Sequence, residues 1–339
     1  MTDLPRATDV AIIGGGFAGV ATARVLTQRG VRSVVLEREA ALGRFASGRS
    51  AGLGRQLAED DPTSALTIRG AAVLRDELAA AWQPCGGILS FDREADAEGY
   101  AARAARFGVA TERLDRRGAL ARWPGLGALP IAAALYVPSD GVIEIAGLLA
   151  ALARDARVVC GAEVLRVEPS AGGVRLTTAR GALDARLVVD AAGAWAGGLT
   201  GDPALASFKR HVYVLEAAVA AGAPFLWHLG DGELYVRPAA GGLLVSPCDA
   251  AQTAAADQQP DDHGRTALVT RLAATGWSDA PIARAWACQR AFTPDRAMRL
   301  GRDPERPWLV WAAGLGGHGA TAATAVGEVV AAACVSALG

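Results

Sequence analysis

The sequence predicts an α/β protein with two domains, and three observations lead to that prediction. An apolar run at residues 10–13 meets a glycine cluster and then a helix-forming segment, a pattern typical of a strand, a tight turn and a helix. A second junction of this kind follows the apolar run at residues 308–313. Between them lie many short strand-forming segments, which favour an α+β second domain built on a mixed or antiparallel sheet. The length of 339 residues, 51% of them apolar, suits two globular domains.

The first elements form a strand, helix, strand unit. After the strand at residues 10–13, residues 20–28 have a helix-forming composition that stops at Gly30. A second apolar strand at residues 34–36 ends at Glu37, so the unit resembles a βαβ motif of about 30 residues.

The later segments alternate between the two domains, which makes the second domain discontinuous. Apolar periodicity and turn signals distinguish the predicted strands from the predicted helices. The remaining predicted strands are residues 88–91, 158–167, 174–178, 187–189, 212–215, 233–237, 243–246 and 308–313, and the remaining predicted helices are residues 63–82, 95–107, 141–152, 261–274 and 320–338. The first domain takes residues 1–85, 138–206 and 287–339, and the second takes residues 86–137 and 207–286.

The charge balance argues against polyanionic partners. Lys and Arg together number 34 and Asp and Glu number 35, which gives a net charge of −1. Without a basic field, neither nucleic acid nor an anionic membrane surface is expected to bind. Lys209 is the only lysine, so lysine side chains are not expected to take part in catalysis at most positions.

Compartment and membrane signals favour a soluble cytoplasmic protein. The five cysteines stand far apart and are odd in number, which fits neither a disulfide framework nor a close-spaced metal site. The first six residues lack a basic segment followed by an apolar run, so no signal peptide is expected. The apolar residues 320–338 include Glu328 and many small side chains, and predict a buried helix rather than an integral membrane segment.

The first glycine cluster carries a chemical signal. Gly14-x-Gly16-x-x-Gly19 stands between a strand and a helix, where the missing side chains allow a tight turn, close approach of a pyrophosphate and close helix packing. Glu37 stands 18 residues after Gly19, where a carboxylate can bind both ribose hydroxyl groups. The sequence therefore predicts a Rossmann-type dinucleotide-binding domain that disfavours a 2′-phosphate.

The second glycine junction favours a flavin over a nicotinamide. Residues 314–319 would direct the N terminus of the last helix at the cofactor. The helix dipole suits the pyrimidine edge of an isoalloxazine ring, where reduction places negative charge. The pattern predicts FAD, and an ordinary strand-to-helix junction is the alternative.

Further motifs resemble the D-amino-acid oxidase superfamily of FAD enzymes over essentially the whole chain. They are Ser47-Gly-Arg-Ser-Ala51, Val189-Asp-Ala-Ala-Gly-Ala-Trp195, and Gly314-x-Gly-Gly-His-Gly319 with Gly327-Glu328. Through Leu234-Tyr-Val-Arg-Pro238 and Trp286-Ala-x-x-Arg290, the chain is most similar to the bacterial D-amino-acid dehydrogenases, D-arginine dehydrogenase in particular. It resembles monomeric sarcosine oxidase and glycine oxidase more distantly.

The resemblance implies which residues contact FAD, held noncovalently. They belong to the two glycine junctions, to the end of the second strand and the segment after it, and to the strands that return after residue 140. The implied residues are Gly14, Gly16, Phe17, Ala18, Gly19, Glu37, Arg38, Ser47, Gly48, Arg49, Ser50, Ala51, Gly52, Val164, Ala192, Gly193, Trp195, Gly314, Gly316, Gly317, His318, Gly319 and Thr321. Covalent attachment through Cys288, which aligns with the flavin-bearing cysteine of monomeric sarcosine oxidase, is the alternative.

The resemblance also implies hydride transfer from the substrate α-carbon to flavin N5, with the substrate carboxylate bound by arginine and tyrosine. Arg290 matches the family's carboxylate-binding arginine and Tyr235 matches its tyrosine partner. The second carboxylate-binding arginine of the D-arginine enzyme falls on His211, with Arg210 just before it. Either residue substitutes for that arginine, or this contact is absent.

Departures from the family pattern bear on the substrate. Gly87 stands where the D-arginine enzyme binds the substrate guanidinium with an acid, and Leu53 stands where it has an active-site histidine. The resemblance implies a D-amino acid, and these departures favour an apolar or small side chain over a cationic one. Arg55 coincides with a carboxylate-binding arginine of sarcosine oxidases, and His318 is a candidate for proton transfer.

The expected reaction gives an imine, which water hydrolyses to an oxo acid and ammonia. Leu244 lies near the position of the lysine that activates oxygen in sarcosine oxidase, so slow reaction with oxygen is expected. The electron acceptor is left open among a quinone, a dye and oxygen. The alternatives are a secondary-amine or 2-hydroxy-acid oxidoreductase on the same fold, and a flavin-binding protein without turnover.

Overall fold

The computed structural model describes residues 3–127, 129–201, 205–220, 222–273 and 275–339. Its strands form two large sheets and one small one. In chain order the strands are β1 (Ala7–Ile13), β2 (Ser33–Glu37), β3 (Leu53–Gly54), β4 (Trp82–Pro84), β5 (Gly87–Phe91), β6 (Glu112–Leu114), β7 (Ala133–Val137), β8 (Gly141–Ile143), β9 (Val158–Cys160), β10 (Val164–Ser170), β11 (Gly173–Thr178), β12 (Gly181–Asp190), β13 (Ala206–Leu215), β14 (Phe225–His228), β15 (Leu234–Ala239), β16 (Gly242–Ser246), β17 (Ala251–Gln252), β18 (Ile282–Phe292), β19 (Arg299–Arg302) and β20 (Leu309–Ala313).

The helices differ in how their first turns are capped. They are α1 (Phe17–Gln28), α2 (Asp61–Asp76), α3 (Glu94–Arg106), α4 (Arg116–Arg122), α5 (Ile145–Ala153), α6 (Asp262–Leu272) and α7 (Gly319–Leu338). Asp60, Asp115 and Asp261 cap α2, α4 and α6 by accepting hydrogen bonds from backbone N–H groups of the first turn. The residues that precede α1 and α7, Gly16 and His318, provide no side-chain cap, so both helix ends can bind an anionic ligand.

The first sheet has a parallel core of five strands. β1 pairs in parallel with β2 and β12, and β9 and β20 extend this core in the order β9-β2-β1-β12-β20. β11 pairs antiparallel with the first half of β12, and β10 pairs antiparallel with β11. On the other side, β19 pairs antiparallel with β20. Because parallel strands end at the same edge, the loops that follow β1, β2, β12 and β20 meet there.

The second sheet has nine strands and is mixed. Its order is β17-β13-β16-β15-β14-β5-β7-β6, with β18 paired along β13. Only β14 and β5 pair in parallel among its described strands. The predicted α/β class with a mixed second sheet is confirmed. The predicted domain limits stay predictions. The limit at residue 287 falls inside β18, which pairs along its length with β13 of the second sheet.

Two predicted elements divide in the structure. Residues 141–152 were expected to form one helix, but β8 occupies the first three and Glu144 then caps α5. Residues 158–167 were expected to form one strand, but the chain turns at Gly161, where φ is 66°, and gives β9 and β10. β8 lies between β3 and β4 in a small third sheet.

α7 packs as a core helix. It lies against α1, α2 and the sheet strands β19 and β20, and most of its alanines are buried. Among the described helices it alone is long and apolar enough to cross a membrane, by length and composition only. Its buried side chains, Ala322, Val326 and Val330 among them, complete the core of the parallel sheet.

Candidate functional site

A long cleft of about 400 Å³ runs along the edge where the parallel strands end. Its walls come from the β1–α1 turn, the end of β2, residues 43–51 and the turns after β12 and β20. β15 and β18 of the second sheet close its far end with Tyr235 and Arg290. The cleft therefore connects the two large sheets.

The β1–α1 turn requires glycine because other backbone lies against it. A Cβ at Gly14, where φ is 106°, would stand 2.6 Å from the Ala191 carbonyl oxygen. A Cβ at Gly19 would stand 2.0 Å from the Gly14 carbonyl oxygen, so Gly19 allows α1 to begin close to β1. This turn exposes the uncapped N terminus of α1 to the cleft.

Glu37 lies beside the same turn at the end of β2. Its Oε2 accepts a hydrogen bond of 2.7 Å from the Gly15 N–H, and its Oε1 accepts one of 2.9 Å from the Glu39 N–H. The side chain is buried but lines the cleft. A carboxylate has about four acceptor positions, so two remain for a ligand.

Two further groups shape this half of the cleft. Ser47 Oγ accepts a hydrogen bond of 3.0 Å from the Phe17 N–H, which fixes residues 43–51 over the helix N terminus. The Arg38 guanidinium lies 4.9 Å from the Phe45 ring centroid and 4.2 Å from that of Trp195, in cation–π contact with both.

The turn after β20 approaches the second sheet. A Cβ at Gly317, where φ is 97°, would lie 3.0 Å from the guanidinium carbon of Arg290. Glycine thus allows Arg290 to lie directly against the turn that begins α7. Arg290 makes no hydrogen bond or ion pair within the described residues, so its donors are available.

The second sheet presents one face to this end of the cleft. Side chains alternate along a strand, so Tyr235 shares a face with Trp227 and with Arg210 and Cys288, which are paired across β13 and β18. Burial raises the pKa of Tyr235 to about 12, even with Arg290 and Arg210 nearby. Its hydroxyl therefore stays protonated and can donate a hydrogen bond.

The same alternation corrects one expectation. His211 lies on the opposite face of β13, fully buried, where its Nδ1 is 2.7 Å from Asp249 Oδ2 and its Nε2 accepts from the Asp261 N–H at 3.3 Å. It is a structural residue that joins β13 to the start of α6. Arg210, one residue earlier, is the one that faces Tyr235, because a shift of one residue along a strand reverses the side-chain direction.

Arg55 and His318 lie together outside the cleft lining. The Arg55 guanidinium is stacked 4.1 Å from the Trp227 ring centroid, and its Nη2 donates to Glu59 Oε1 at 2.7 Å. Glu59 Oε2 lies 3.1 Å from Nε2 of His318. Burial opposes ionisation of Glu59, but Arg55 and His318 outweigh it and hold the pKa of this carboxyl well below its usual range. His318 is therefore engaged by a carboxylate, and its predicted proton transfer stays a prediction.

Comparison with known proteins identifies the family. Residues 9–333 match the family model described as DAO, FAD dependent oxidoreductase. The chain belongs to this family.

Three relatives show the range of the family. A glycine oxidase of Bacillus licheniformis is 28% identical over 352 residues, which cover 95% of this chain and 92% of that one. The crystal structure of glycine oxidase from Geobacillus kaustophilus superposes with a TM-score of 0.84 at 26% identity, covering 98% of this chain and 95% of that chain. Mouse mitochondrial sarcosine dehydrogenase is 29% identical over 239 residues, covering 62% of this chain but only 26% of the relative.

The cofactor of a DAO family member is FAD, and the cleft fits it. The Gly14 cradle and the open α1 N terminus suit a pyrophosphate, and Glu37 suits a ribose. Most of the residues predicted to contact FAD line the cleft: Gly14, Gly16, Phe17, Ala18, Glu37, Arg38, Ser47, Ser50, Ala51, Val164, Ala192, Gly193, Trp195, Gly314, Gly316, Gly317 and Gly319.

The other predicted cofactor residues lie behind the lining and support it. Gly19 and Gly48 pack against backbone, Gly52 packs on the Ile143 carbonyl, and His318 binds Glu59. Arg49 donates to the carbonyls of Gln258 and Ala287 and pairs with Asp257, and Thr321 donates to the Leu53 carbonyl. The motifs correctly singled out these residues, but the residues support the segments that line the cleft and do not line it themselves.

Several lining residues were missed. Phe45 and Arg44 stand in the glycine-rich segment, and Gln289 and Leu315 stand beside recognised residues. An aromatic residue within a polar segment is the signal that would have found Phe45. The others adjoin motif residues, and sequence pattern alone does not distinguish a lining position from its neighbour.

The remaining positions bear on attachment and oxygen reactivity. Burial raises the pKa of the Cys288 thiol, which disfavours a reactive thiolate and agrees with the noncovalent FAD of the family. Leu244 is buried in β16, and Lys209 pairs with Asp261 at 2.6 Å. The described lining of the cleft therefore contains no lysine. Slow reaction of the reduced flavin with oxygen stays a prediction.

Proposed function

We propose that this protein oxidises an α-amino acid, with FAD as the resident cofactor and with Arg290 and Tyr235 binding the substrate carboxylate. One observation carries the proposal: the cleft that fits FAD ends at a buried tyrosine and at a guanidinium that has no hydrogen-bond or ion-pair partner among the described residues. An arginine and a hydroxyl that converge in a closed site are the donors that orient a carboxylate.

The chain's own residues bind and orient the substrate. Arg290 offers a planar pair of donors, and Tyr235, with its raised pKa, donates from a neutral hydroxyl. Arg210 adds positive charge from the neighbouring strand. When bound, FAD supplies the acceptor for the hydride of the substrate α-carbon.

The nature of the amine is part of the proposal. The sequence expectation is a D-amino acid, whereas the glycine oxidase and sarcosine dehydrogenase relatives support glycine or an N-methyl amino acid as the alternative. A cytoplasmic location is proposed as well, in keeping with cysteines that are all free thiols.

Anaerobic bleaching of the bound flavin tests the proposal. A panel of D- and L-amino acids, N-methyl amino acids and 2-hydroxy acids is mixed with the holoenzyme. We expect amino acids to bleach the flavin and to release ammonia, whereas an N-methyl amino acid would release an aldehyde. Bleaching by hydroxy acids alone, or by none of the panel, would contradict amino-acid oxidation.

Arg290→Ala tests the carboxylate site. The variant should lose at least about a hundredfold in kcat/KM for the best amino acid, on the order of 3 kcal/mol, because an orienting ion pair is removed. Arg29→Ala, at an exposed position after α1, serves as the control. An equal loss on an amine that lacks a carboxylate would show that Arg290 has another role.

A further inference from the structure

The face of the second sheet beyond Tyr235 carries buried guanidinium groups with unused donors. Arg55 is 2% exposed, and neither its Nε nor its Nη1 has a hydrogen-bond partner among the described residues. Arg210 is 7% exposed, and its Nε and Nη1 are equally unpartnered in the described chain. Buried donors without acceptors are costly, so such an arrangement indicates acceptors that arrive with a ligand.

One carboxylate does not occupy all of these donors. A carboxylate has about four acceptor positions, and Arg290, Tyr235 and Arg210 are enough to fill them. Arg55 contacts Trp227, which in turn contacts Tyr235. The Arg55 guanidinium is 4.1 Å from the Trp227 ring centroid, and the Trp227 and Tyr235 ring centroids are 5.1 Å apart. Its unpartnered donors lie just behind the cleft lining, at the Tyr235 end of the cleft.

The local charges favour an anionic group there. Arg55, Arg210, Arg237 and Arg290 lie on or against this face. Three carboxylates oppose them. Glu59 binds Nη2 of Arg55, Glu233 accepts from the Trp227 indole N–H at 2.9 Å, and Asp249, which is bound to His211, interacts with Arg210. Four guanidinium groups against three carboxylates leave a net positive charge, which favours an anionic group.

A fourth acid nearby, Asp140, does not reverse this balance. Asp140 is fully buried, and its Oδ1 already accepts from the Gln56 backbone and side chain. Burial raises the pKa of Asp140 to about 7, so near neutral pH it carries at most part of a negative charge.

We propose that the substrate is an acidic amino acid, and that Arg55, held on the Trp227 ring, binds its side-chain carboxylate. This assignment rests on the proposed function and specifies its substrate class. It replaces the apolar or small side chain that Gly87 and Leu53 suggested, because the charges come from Arg55 and Arg210 rather than from those two positions.

Ligand binding tests the site independently of turnover. Isothermal titration calorimetry on the FAD-loaded holoenzyme compares succinate with butyrate, which have equal chain length and differ by one carboxylate. We expect succinate to bind at least about tenfold more tightly, as a charge-assisted hydrogen bond allows. In Arg55→Gln this preference should disappear while butyrate affinity is retained, and Arg93→Gln, a highly exposed position, should behave as the wild type.

Turnover provides the second measurement. Both enantiomers of aspartate and glutamate are compared with asparagine, glutamine and norvaline in anaerobic flavin bleaching. Acidic substrates should be fastest, and Arg55→Gln should slow them about a hundredfold while changing the others little. Arg55→Lys keeps the ion pair with Glu59 and is used where Arg55→Gln does not fold; it should weaken succinate several-fold and leave butyrate unchanged.

The outcomes separate the two proposals. Equal binding of succinate and butyrate, equal effects of the Arg55 variants on both ligands, or fastest bleaching by norvaline would overturn the acidic substrate. A succinate preference that depends on Arg55, found in a holoenzyme that no amino acid reduces, would support the anion site and refute amino-acid oxidation.

Discussion

At the scale of single residues, Glu37 has two roles. Its two carboxylate oxygens hold the backbone of Gly15 and Glu39, and the same side chain faces the cleft. It therefore stabilises the glycine turn and offers acceptors to a ribose. A local pattern, a strand followed by glycines and a spaced acid, is sufficient to predict such a residue.

Glu37→Ala should weaken FAD binding tenfold or more. Loss of a hydrogen bond to a charged group removes roughly 1.5–3 kcal/mol, and the Gly15 and Glu39 N–H groups lose their acceptor as well. Fluorescence titration of apoprotein with FAD measures the effect. Glu98→Ala, at an exposed position of α3 outside the cleft lining, is the control, and equal affinities of the two variants would refute the assignment.

Residue-scale prediction fails where a tertiary neighbour decides the role. Arg210 and His211 were equal candidates, since the family pattern does not resolve which face of β13 a given residue occupies. The pairing of β13 with β18 decides it, by placing Arg210 opposite Cys288. The Arg55 stack on Trp227 is likewise set by a contact between segments 172 residues apart, which no local pattern encodes.

At the scale of elements, α2 and α7 cross at a point that only glycine permits. A Cβ at Gly70, within α2, would stand 1.9 Å from the Thr321 carbonyl oxygen of α7. This contact keeps the first turn of α7 in place at the cleft, because Thr321 also donates to the Leu53 carbonyl.

Gly70→Ala should therefore destabilise the protein by about 1–3 kcal/mol through overpacking. Gly99→Ala provides the contrast, because Gly99 is an exposed position of α3 where an added Cβ meets nothing within 4 Å. That substitution should stabilise by up to about 1 kcal/mol through helix propensity. Urea unfolding measures both free energies, and changes of the same sign would contradict the crossing argument.

The short strand β8 and the turn before it place a buried acid whose titration affects stability. Burial raises the pKa of Asp140 from 3.8 to about 7. Between these values the unfolded chain has lost the proton while the folded chain keeps it. The unfolded state therefore binds fewer protons there, and the contribution of Asp140 to stability falls as pH rises toward 7.

Asp140→Asn should remove this dependence. The amide oxygen still accepts from Gln56, and no charge is buried, so the variant should gain stability relative to the wild type at pH ~8 compared with pH ~5. Urea unfolding at both pH values measures the difference. Asp155→Asn, at an exposed position, is the control, and a relative stability of Asp140→Asn that does not vary with pH would show that burial does not raise the pKa of Asp140.

Elements with strong periodicity were predictable, and elements set by their neighbours were not. β1, α1 and β2 follow from apolar runs, glycines and Glu37. The eleven-residue β18 was not recognised as a strand, since its first half is exposed and its alternation is weak, and pairing with β13 forms it. β8 was taken as helix because Gly141–Ile143 lacks a helix stop before Glu144.

At the scale of the whole molecule, the cleft is shared by both large sheets. Gly14 and Glu37 belong to the first sheet, and Tyr235 and Arg290 belong to the second. A ligand that fills the cleft contacts both, so its binding energy stabilises their association as well as each sheet.

FAD should therefore raise the unfolding temperature of the entire molecule in a single transition. At a free concentration of about 100 times its Kd, FAD contributes about 2.7 kcal/mol, provided that it does not bind the unfolded chain. Thermal unfolding of apoprotein with and without FAD, followed both by near-UV circular dichroism and by tryptophan fluorescence, measures the shift. Trp227 and Trp286 lie on the second sheet and Trp311 on the first, so the two signals report on both regions.

We expect NADP to give no shift, because Glu37 repels a 2′-phosphate. If FAD shifted only one of two separate transitions, the cleft would belong to one sheet alone, and Tyr235 and Arg290 would lose their place beside the cofactor.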